Sequence, residues 1–523
     1  MRRRTLVLAS LSGALLGVAS LPGPFGPIAF VGLCPLLFRL TDGIGPLHGL
    51  KAGFVAGVVY FAIGFGFVPL SIAEAGAAPL AAYLVGVPML AASIGLFGAL
   101  VVLAGRVSMG LGLWAAPALW IGLELARSEE WVLSVPWMHL AYSLGDQPEL
   151  IQAASAIGLY GISFWIVCVN AAIVTGLRSQ RLIGAGVGTL ALLAIPPLVF
   201  SEPAAEPSVP TLRIAAIQPD LSDQVPGKPR ALDAALPSLL ALSEHATAGG
   251  ADLVVWPESA YPRPLGDAPD PLLGVLANAF GVPLLTGAWK TRPDPGLLRN
   301  AAFLAREGGA VVAAAEKVHP VPVYERAPDG ALSRSLASLG LWSGIFEPGD
   351  AMPPVRVARA DGSTVSLGVL VCIDASYPEI ARRLRSDGAL ALIQISNEAA
   401  TGRWAAELHA RVVRFRAIEN RSPFVRVANT GPTLWIDARG RVLDRIDASS
   451  SGSSAAAISL AGPAPLATRL TDSSRVSMAL GVTIVGVGGQ SIFRRRRGRS
   501  AGRREPRTFN EEMTQCSTEL ARS

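Results

Sequence analysis

Long apolar runs, separated by short polar loops, fill the first 200 residues of the chain. A helix that crosses a membrane needs about 20 apolar residues, and seven stretches approach that length. We place them near residues 5–21, 26–40, 51–71, 78–104, 110–126, 154–176 and 182–200. An eighth stretch, residues 476–493, is rich in Gly and Val and is followed by four consecutive arginines. The pattern predicts a polytopic α-helical membrane domain with about eight transmembrane helices.

The first apolar stretch has two interpretations. It follows three arginines, and Val18-Ala19-Ser20 resembles the cleavage site of a signal peptide. Because further apolar stretches follow at once, we favour an uncleaved first helix.

The pattern changes after residue 205, where short apolar runs alternate with amphipathic stretches. We predict strands at residues 212–218, 251–258, 283–287, 301–304, 311–315, 365–371, 389–396 and 422–427, and helices at 232–248, 379–387 and 404–419. Strands interleaved with helices indicate a layered α/β domain with covered sheets. The predicted domains are a membrane domain (1–204), an α/β domain (205–470), an eighth transmembrane helix (471–494) and a basic disordered tail (495–523).

Composition agrees with this division. The chain is 51% hydrophobic and 16% charged, and its mean hydropathy is +0.43, which is typical of a membrane protein. The four cysteines form no CxxC pair and no disulfide framework, and the five histidines show no metal-ligand spacing. The chain also lacks a Gly-rich phosphate loop, so we predict neither a metal nor a nucleotide cofactor.

The net charge of +6 is concentrated at the two ends of the chain. Such basic runs can bind nucleic acid, but beside apolar spans we favour anchoring against anionic lipid. With eight spans, most basic loop residues fall on one side of the membrane and most acidic ones on the other. By the positive-inside rule, both termini are cytoplasmic. The α/β domain then faces outward, into the periplasm of a bacterium that has an outer membrane.

Three reactive side chains follow predicted strands: Glu258, Lys317 and Cys372. Each has a simpler explanation, since a glutamate can cap a helix, a lysine can be solvated and a lone cysteine after a Val/Leu run is commonly a core residue. Together they suit acyl transfer, in which a carboxylate takes the thiol proton, a cation stabilises the oxyanion and the thiol holds the acyl group. Because ligand sites gather beyond strand ends, we expect the three in one pocket.

The loop Pro136-Trp-Met-His-Leu-Ala-Tyr-Ser-Leu-Gly145 is rich in aromatic residues. It can form an aromatic belt at the membrane interface or a lipid-facing wall of the active site. The two interpretations are compatible.

Several motifs, in this order and inside a membrane frame, resemble the nitrilase superfamily and, within it, the apolipoprotein N-acyltransferase family. They are Pro136-Trp137, Ala141-Tyr142-Ser143, Trp256-Pro257-Glu258, the Lys317 to Glu325 spacing, Cys372, Ser396-Asn397, Arg414-Phe-Arg-Ala-Ile-Glu419 and Asn429-Thr-Gly431. The resemblance covers nearly the whole chain and implies an α-β-β-α sandwich.

The resemblance also implies roles and substrates. Glu258 would be the general base, Lys317 the oxyanion-stabilising cation and Cys372 the nucleophile, with Glu325 as a second, supporting glutamate. Cys372 would take an acyl chain from a phospholipid and pass it to the α-amino group of the diacylglyceryl-cysteine of a prolipoprotein. The expected protein is a monomer in the bacterial inner membrane that needs no cofactor and binds no nucleic acid.

Three segments depart from the family pattern. Ile373 and Asp374 follow the nucleophile where the family has an aromatic and then an acidic residue, so Asp374 keeps the supporting charge. The segment 398–402 lacks the aromatic residues of the family's Trp-Phe-Gly lid, and we expect Trp404 to substitute. The loop after the lysine reads Val321-Pro-Val-Tyr324 in place of Val-Pro-Phe-Gly.

Two other functions share parts of this pattern. A membrane-anchored amidase of the nitrilase type would use the same triad with water as acceptor, but eight spans exceed what an anchor needs. A transporter, or a scaffold that has lost catalysis, is the second alternative. Charged residues inside spans mark transport paths, and the predicted spans contain almost none.

Overall fold

The computed structural model describes most of the chain. The described residues are 3–71, 78–128, 134–179, 182–200, 210–221, 232–266, 270–291, 298–321, 325–326, 346–359, 362–474, 476–477 and 481. Of the predicted eighth span only 476, 477 and 481 are among them, and the predicted tail 495–523 with Cys516 lies outside them.

Residues 3–200 form a bundle of helices, the helical region. Its α-helices are α1 (Arg3–Ala19), α2 (Ala29–Gly32), α3 (Cys34–Leu40), α4 (Pro46–Gly64), α5 (Val68–Ser71), α6 (Ala78–Gly105), α7 (Met109–Ser128), α8 (Ala154–Ser179) and α9 (Leu182–Val199). Short 3₁₀ helices lie at Gly26–Ile28 and Leu140–Asp146. Every one of the seven predicted stretches therefore contains helix.

Four helices are long and apolar enough to cross a membrane: Pro46–Gly64, Ala82–Gly105, Met109–Ser128 and Ala154–Ser179. The predicted number of eight spans is not confirmed. Glu124 lies within the third of these helices and is buried, accepting hydrogen bonds from Trp120 Nε1 (2.9 Å) and Leu140 N–H (2.7 Å).

Small residues let these helices approach closely. A Cβ atom on Gly53 of α4 would lie 2.1 Å from the carbonyl oxygen of Ile94 on α6, and one on Gly13 of α1 would lie 2.3 Å from that of Ala56 on α4. Such backbone contacts are typical of helices packed within a membrane. That the first helix stays uncleaved remains a prediction.

Residues 210–474 form two six-stranded sheets and their covering helices, the sheet region. The strands are β1 (Thr211–Gln218), β2 (Leu253–Val255), β3 (Leu284–Thr291), β4 (Leu298–Ala305), β5 (Val311–Glu316), β6 (Val355–Ala358), β7 (Thr364–Val371), β8 (Ala391–Ser396), β9 (Phe424–Ala428), β10 (Thr433–Ile436), β11 (Val442–Ile446) and β12 (Gly452–Ser459). The sheet orders are β12-β1-β2-β3-β4-β5 and β11-β10-β9-β8-β7-β6.

The sheets pack face to face. Alternate residues of β7, namely Val365, Leu367, Val369 and Val371, join Ile214 and Val255 of the other sheet in one apolar core. The outer faces are covered by α10 (Leu232–Thr247) and α11 (Pro271–Phe280) on one side and by α12 (Pro378–Ser386) and α13 (Gly402–Asn420) on the other. The predicted α-β-β-α sandwich is confirmed.

Helix α13 belongs to both regions. Ala410, Val413 and Ala417 pack on the outer face of the second sheet. Val412, Phe415 and Ile418 pack into the core of the helical region. Because residues three or four apart share a helix face, one helix presents an apolar face to each region and joins them.

Candidate active site

Cys372 follows β7 directly, at the start of a 3₁₀ turn that spans Cys372–Ser376. Its φ is +52°, in the left-handed region that a residue with a Cβ rarely adopts. Strained backbone of this kind persists only where the surroundings hold it, and it clusters at functional sites. Cys372 as a residue is only partly buried.

Glu258 lies just beyond the carboxyl end of β2 and is buried. Its Oε1 atom accepts hydrogen bonds from Asn300 Nδ2 (2.6 Å) and Lys317 Nζ (3.0 Å). Its Oε2 atom is buried and accepts no hydrogen bond from the residues that the structure describes. Gly287 of β3 permits this placement, since a Cβ there would lie 2.6 Å from Glu258 Cα.

Lys317 follows β5 and is 1% exposed. Its Nζ atom donates to Glu325 Oε1 (2.7 Å) as well as to Glu258. The other oxygen of Glu325 accepts the N–H of Val321 (2.7 Å). Glu325 therefore fixes both the ammonium and the loop behind it. Residues 322–324, which complete the divergent loop, lie outside the described residues.

Asp374 connects the nucleophile turn to the lysine strand. Its carboxylate accepts the N–H groups of Val318 (3.0 Å) and His319 (2.9 Å), the two residues after Lys317. The His319 ring stacks on Tyr377, with centroids 3.6 Å apart. All five predicted site residues are thus brought together.

The electrostatics favour a protonated thiol and a charged lysine. Burial and the nearby Glu258 carboxylate raise the pKa of the Cys372 thiol. Burial opposes the charge of Lys317, but Cys372, Glu258 and Glu325 outweigh it and raise the Lys317 pKa. Burial also raises the pKa of Glu258, although Lys317 opposes it. A carboxyl group whose pKa is raised is a better proton acceptor, and its free Oε2 atom can take the thiol proton.

Trp137 of the aromatic loop reaches this site from the helical region. Its Nε1 donates to Ser376 Oγ (3.2 Å) in the nucleophile turn, and its ring stacks on Phe65. This contact supports the prediction that the loop forms a wall of the active site.

Trp404 lies in the first turn of α13. Its ring centroid is 6.1 Å from that of Phe67, which in turn is 6.1 Å from Trp137. An aromatic row therefore connects α13 to the helical region next to the segment 398–402, which has no aromatic residue. That Trp404 replaces the lid stays a prediction.

Sequence reasoning missed Asn300 and a buried set of four side chains behind Cys372: Gln394, Glu398, His409 and Arg426. A signal existed for two of them. Gln394 and Arg426 interrupt the aliphatic runs of β8 and β9, both central strands. A polar residue inside such a strand is buried at a cost and usually has a specific partner. Within the described residues, no group of three or more His, Cys, Asp or Glu is placed to hold a metal ion.

Comparisons with known proteins match both regions. Residues 12–172 match the model of the apolipoprotein N-acyltransferase N-terminal domain, and residues 213–467 match the carbon-nitrogen hydrolase model. An apolipoprotein N-acyltransferase of Geobacter metallireducens is 31% identical over 84% of this chain and 86% of its own length. One of Rhizobium rhizogenes is 31% identical over 85% and 88%. The structure of a carbon-nitrogen hydrolase from Helicobacter pylori is similar over 48% of this chain and 89% of its own, with 20% identity and a TM-score of 0.36.

Proposed function

Since the chain belongs to the apolipoprotein N-acyltransferase family, we propose that it moves an acyl chain from a phospholipid, through a thioester on Cys372, to the α-amino group of the N-terminal diacylglyceryl-cysteine of a lipoprotein. The observation that carries this is the buried Glu258–Lys317–Glu325 cluster, whose charges act on the Cys372 thiol at the end of β7.

In the first half-reaction, Glu258 Oε2 takes the thiol proton and the Cys372 sulfur attacks the ester carbonyl of the phospholipid. The Lys317 ammonium stabilises the oxyanion, together with backbone N–H groups of the turn that follows the cysteine. Collapse of this intermediate breaks the ester C–O bond. The proton held by Glu258 passes to the departing alkoxide, so that a lysophospholipid leaves and the thioester remains.

In the second half-reaction, the amine of the lipoprotein attacks the thioester carbonyl. Glu258 accepts a proton from the attacking nitrogen and returns it to the cysteine sulfur as the C–S bond breaks. The products are an amide and the original thiol. One base therefore serves both halves, which requires that it be ionised at the start of each.

Glu325 and Asp374 support this chemistry without taking part in it. Glu325 holds the Lys317 ammonium (2.7 Å) beside Glu258. Asp374 fixes the backbone just after Lys317 from the turn that carries the thiol. The two carboxylates thus set the distance between cation and nucleophile.

Four apolar helices and bacterial relatives make this a bacterial membrane protein. We place it in the inner membrane with the sheet region facing the periplasm, because basic residues gather on one side of the predicted spans. Both substrates are lipids, and they can reach Trp137 and Cys372 laterally from the bilayer. We propose that it acts as a monomer.

The experiment that tests this function is acyl capture. Purified wild-type protein is incubated with labelled phospholipid, and intact-mass spectrometry reads the adduct before and after neutral hydroxylamine. We expect one hydroxylamine-sensitive acyl group on the wild type and none on Cys372→Ala, which removes the sulfur and little else. A labelled Cys372→Ala protein would overturn the nucleophile assignment.

A second arm separates transfer from hydrolysis. Loaded wild-type protein is given either buffer or a synthetic diacylglyceryl-cysteine peptide. Transfer predicts a stable thioester in buffer and an N-acylated peptide when the acceptor is present. Release of free fatty acid at the same rate with and without peptide would favour the amidase alternative.

A further inference from the structure

The carbonyl group of Cys372 is held from behind by four buried side chains, which we call the support network: Gln394, Glu398, His409 and Arg426. None is more than 4% exposed. They occupy β8, β9, α13 and the loop after β8, and Gln394 pairs in register with Arg426 across the two strands.

The orientation of the Gln394 amide is fixed by its partners. Its Oε1 atom accepts from Arg426 Nη1 (2.9 Å), and an arginine can only donate. The other amide atom must then be the nitrogen. That Nε2 donates one hydrogen to the carbonyl oxygen of Cys372 (2.7 Å) and lies 3.1 Å from His409 Nε2.

The tautomer of His409 follows from the same logic. Because Gln394 Nε2 carries the hydrogen, His409 Nε2 must accept it, and the ring proton lies on Nδ1. That nitrogen is 3.1 Å from Glu398 Oε1 and donates to it. Burial lowers the pKa of His409, and the positive charges of Arg426 and Lys317 lower it further. The Glu398 carboxylate raises it, but the net shift is downward. The ring is therefore neutral, as the geometry requires.

Glu398 and Arg426 close the network. Arg426 pairs with Glu398 as well as with Gln394, and Ser396 Oγ donates to the same Glu398 oxygen (2.5 Å). Burial opposes ionisation, but Arg426 and His409 lower the pKa of Glu398 to about 2. The carboxylate thus stays charged, and its Oε1 atom accepts from Arg426, His409 and Ser396.

The network acts on the strained peptide of the nucleophile. Cys372 is held at φ +52°, a conformation that is unfavourable in a residue with a Cβ. In a trans peptide the C=O and the next N–H point in opposite directions. Anchoring the Cys372 carbonyl on Gln394 therefore turns the Ile373 N–H to the opposite side, away from the network.

We propose that the support network positions the acylation step: Gln394 fixes the Cys372–Ile373 peptide so that the Ile373 N–H faces the oxyanion, and His409 holds Gln394 by accepting its second hydrogen. This inference rests on the proposed function of Cys372. It assigns Gln394 and His409 as positioning residues, since they act through the peptide of the nucleophile and not on the substrate.

Two substitutions of His409 separate its two hydrogen bonds. The Oε1 of glutamine in His409→Gln can stand where Nε2 is and accept from Gln394. The amide nitrogen of asparagine in His409→Asn can stand where Nδ1 is and donate to Glu398, but it offers Gln394 no acceptor. We measure the single-turnover rate of thioester formation against phospholipid concentration, together with the melting temperature.

We expect His409→Asn to lower the saturating rate about a hundredfold, the size of effect that a small misplacement of reacting groups produces. His409→Gln should recover most of the rate, and the half-saturating phospholipid concentration should change in neither. A merely structural role would predict the opposite pattern, with both variants melting lower and both reacting alike.

Gln394→Met serves as the second variant, because it keeps the shape and removes both donors. It should slow thioester formation at least as much as His409→Asn. If a histidine variant does not fold, the rate of Gln394→Met tests the positioning role in its place. Equal rates in Gln394→Met and wild type, or equal rates in the two histidine variants, would overturn the positioning role. A wild-type protein that forms no hydroxylamine-sensitive adduct would instead overturn the proposed function itself.

Discussion

Lys317 and Arg411 are both buried cations, but their hydrogen-bond acceptors differ. Lys317 is 1% exposed and pairs with two carboxylates, those of Glu258 and Glu325. Arg411 on α13 is 3% exposed, and each of its nitrogens has an acceptor in the helical region: Asp146 (2.8 Å), the carbonyl of Ser20 (3.0 Å) and the carbonyl of Leu21 (2.5 Å).

The difference lies in what surrounds each charge. Arg411 joins the sheet region to the helical region through one carboxylate and two backbone carbonyl groups. Lys317 is placed among groups that titrate, and Glu258 Oε2 beside it has no partner within the described residues. Arg411 therefore serves docking, whereas the Lys317 cluster has an open acceptor on Glu258 and raised pKa values, as expected of a site for proton transfer.

Glu258→Gln is the substitution with the largest expected effect on the catalytic side of this comparison. The amide keeps the shape and the contact with Lys317 but cannot take a proton. Because general base catalysis contributes about 10²–10⁴-fold, we expect the rate of thioester formation to fall by that amount while the melting temperature stays close to wild type. Single-turnover mass spectrometry measures the rate.

The matched control is Glu316→Gln, one residue before Lys317. Glu316 is also buried, but its carboxylate pairs with Lys290 (2.7 Å) and Arg299 (2.5 Å) outside the site. This variant should keep most of the acylation rate. If both variants were equally slow, the loss would report damage to the β5 end and not the missing base.

Arg411→Met tests the docking side of the comparison. Removing one partner of a buried ion pair typically costs about 3–5 kcal/mol, so we expect a clear loss of thermal stability in detergent. Arg414→Met is the control, since Arg414 is more exposed and lies 3.8 Å from Asp146. The fraction of Arg411→Met that remains folded should still form the thioester. A stable but inactive Arg411→Met would mean that this charge also serves catalysis.

The sequence supports the triad because its members follow strands. Glu258, Lys317 and Cys372 stand just after the apolar runs of β2, β5 and β7, and such runs are visible without a structure. The outer strand β12 is different. β12 is Gly-Ser-Ser-Ala-Ala-Ala-Ile-Ser, whose small residues give no alternating pattern, so its pairing with β1 could not be predicted.

Other features depend on contacts between distant parts of the chain. Nothing in the residue type of Cys372 signals a left-handed backbone, and the donor to its carbonyl oxygen, Gln394, lies 22 positions further along the chain. The contact of Arg411 with Asp146 joins residues 265 positions apart. Local patterns predict elements and strand ends, whereas the partner of a buried polar side chain is decided by tertiary packing.

The pH dependence of the acylation rate tests the role of Glu258 as the general base. Glu258 must be ionised to act as base, so the rate rises with pH through its pKa. Burial raises that pKa above the usual value of 4.5. Below the raised pKa the rate should fall about tenfold for each pH unit. This fall should begin at a pH where an ordinary glutamate is still ionised. Stopped reactions from pH 4.5 to 8, on protein shown to be folded, measure this. A flat profile down to pH 4.5 would contradict the assignment.

The smallest effect is expected at Arg445, which forms an ion pair with a residue of α13 at the protein surface. It pairs with Glu407 of α13 (2.6 Å) and with Asp447 (2.6 Å), and its side chain is 32% exposed. Water can replace these partners, so Arg445→Ala should change the free energy of unfolding by less than about 1 kcal/mol. Denaturant melts beside Arg411→Met measure the contrast. A loss as large as that of Arg411→Met would show that exposure does not separate the contributions of the two charges to stability.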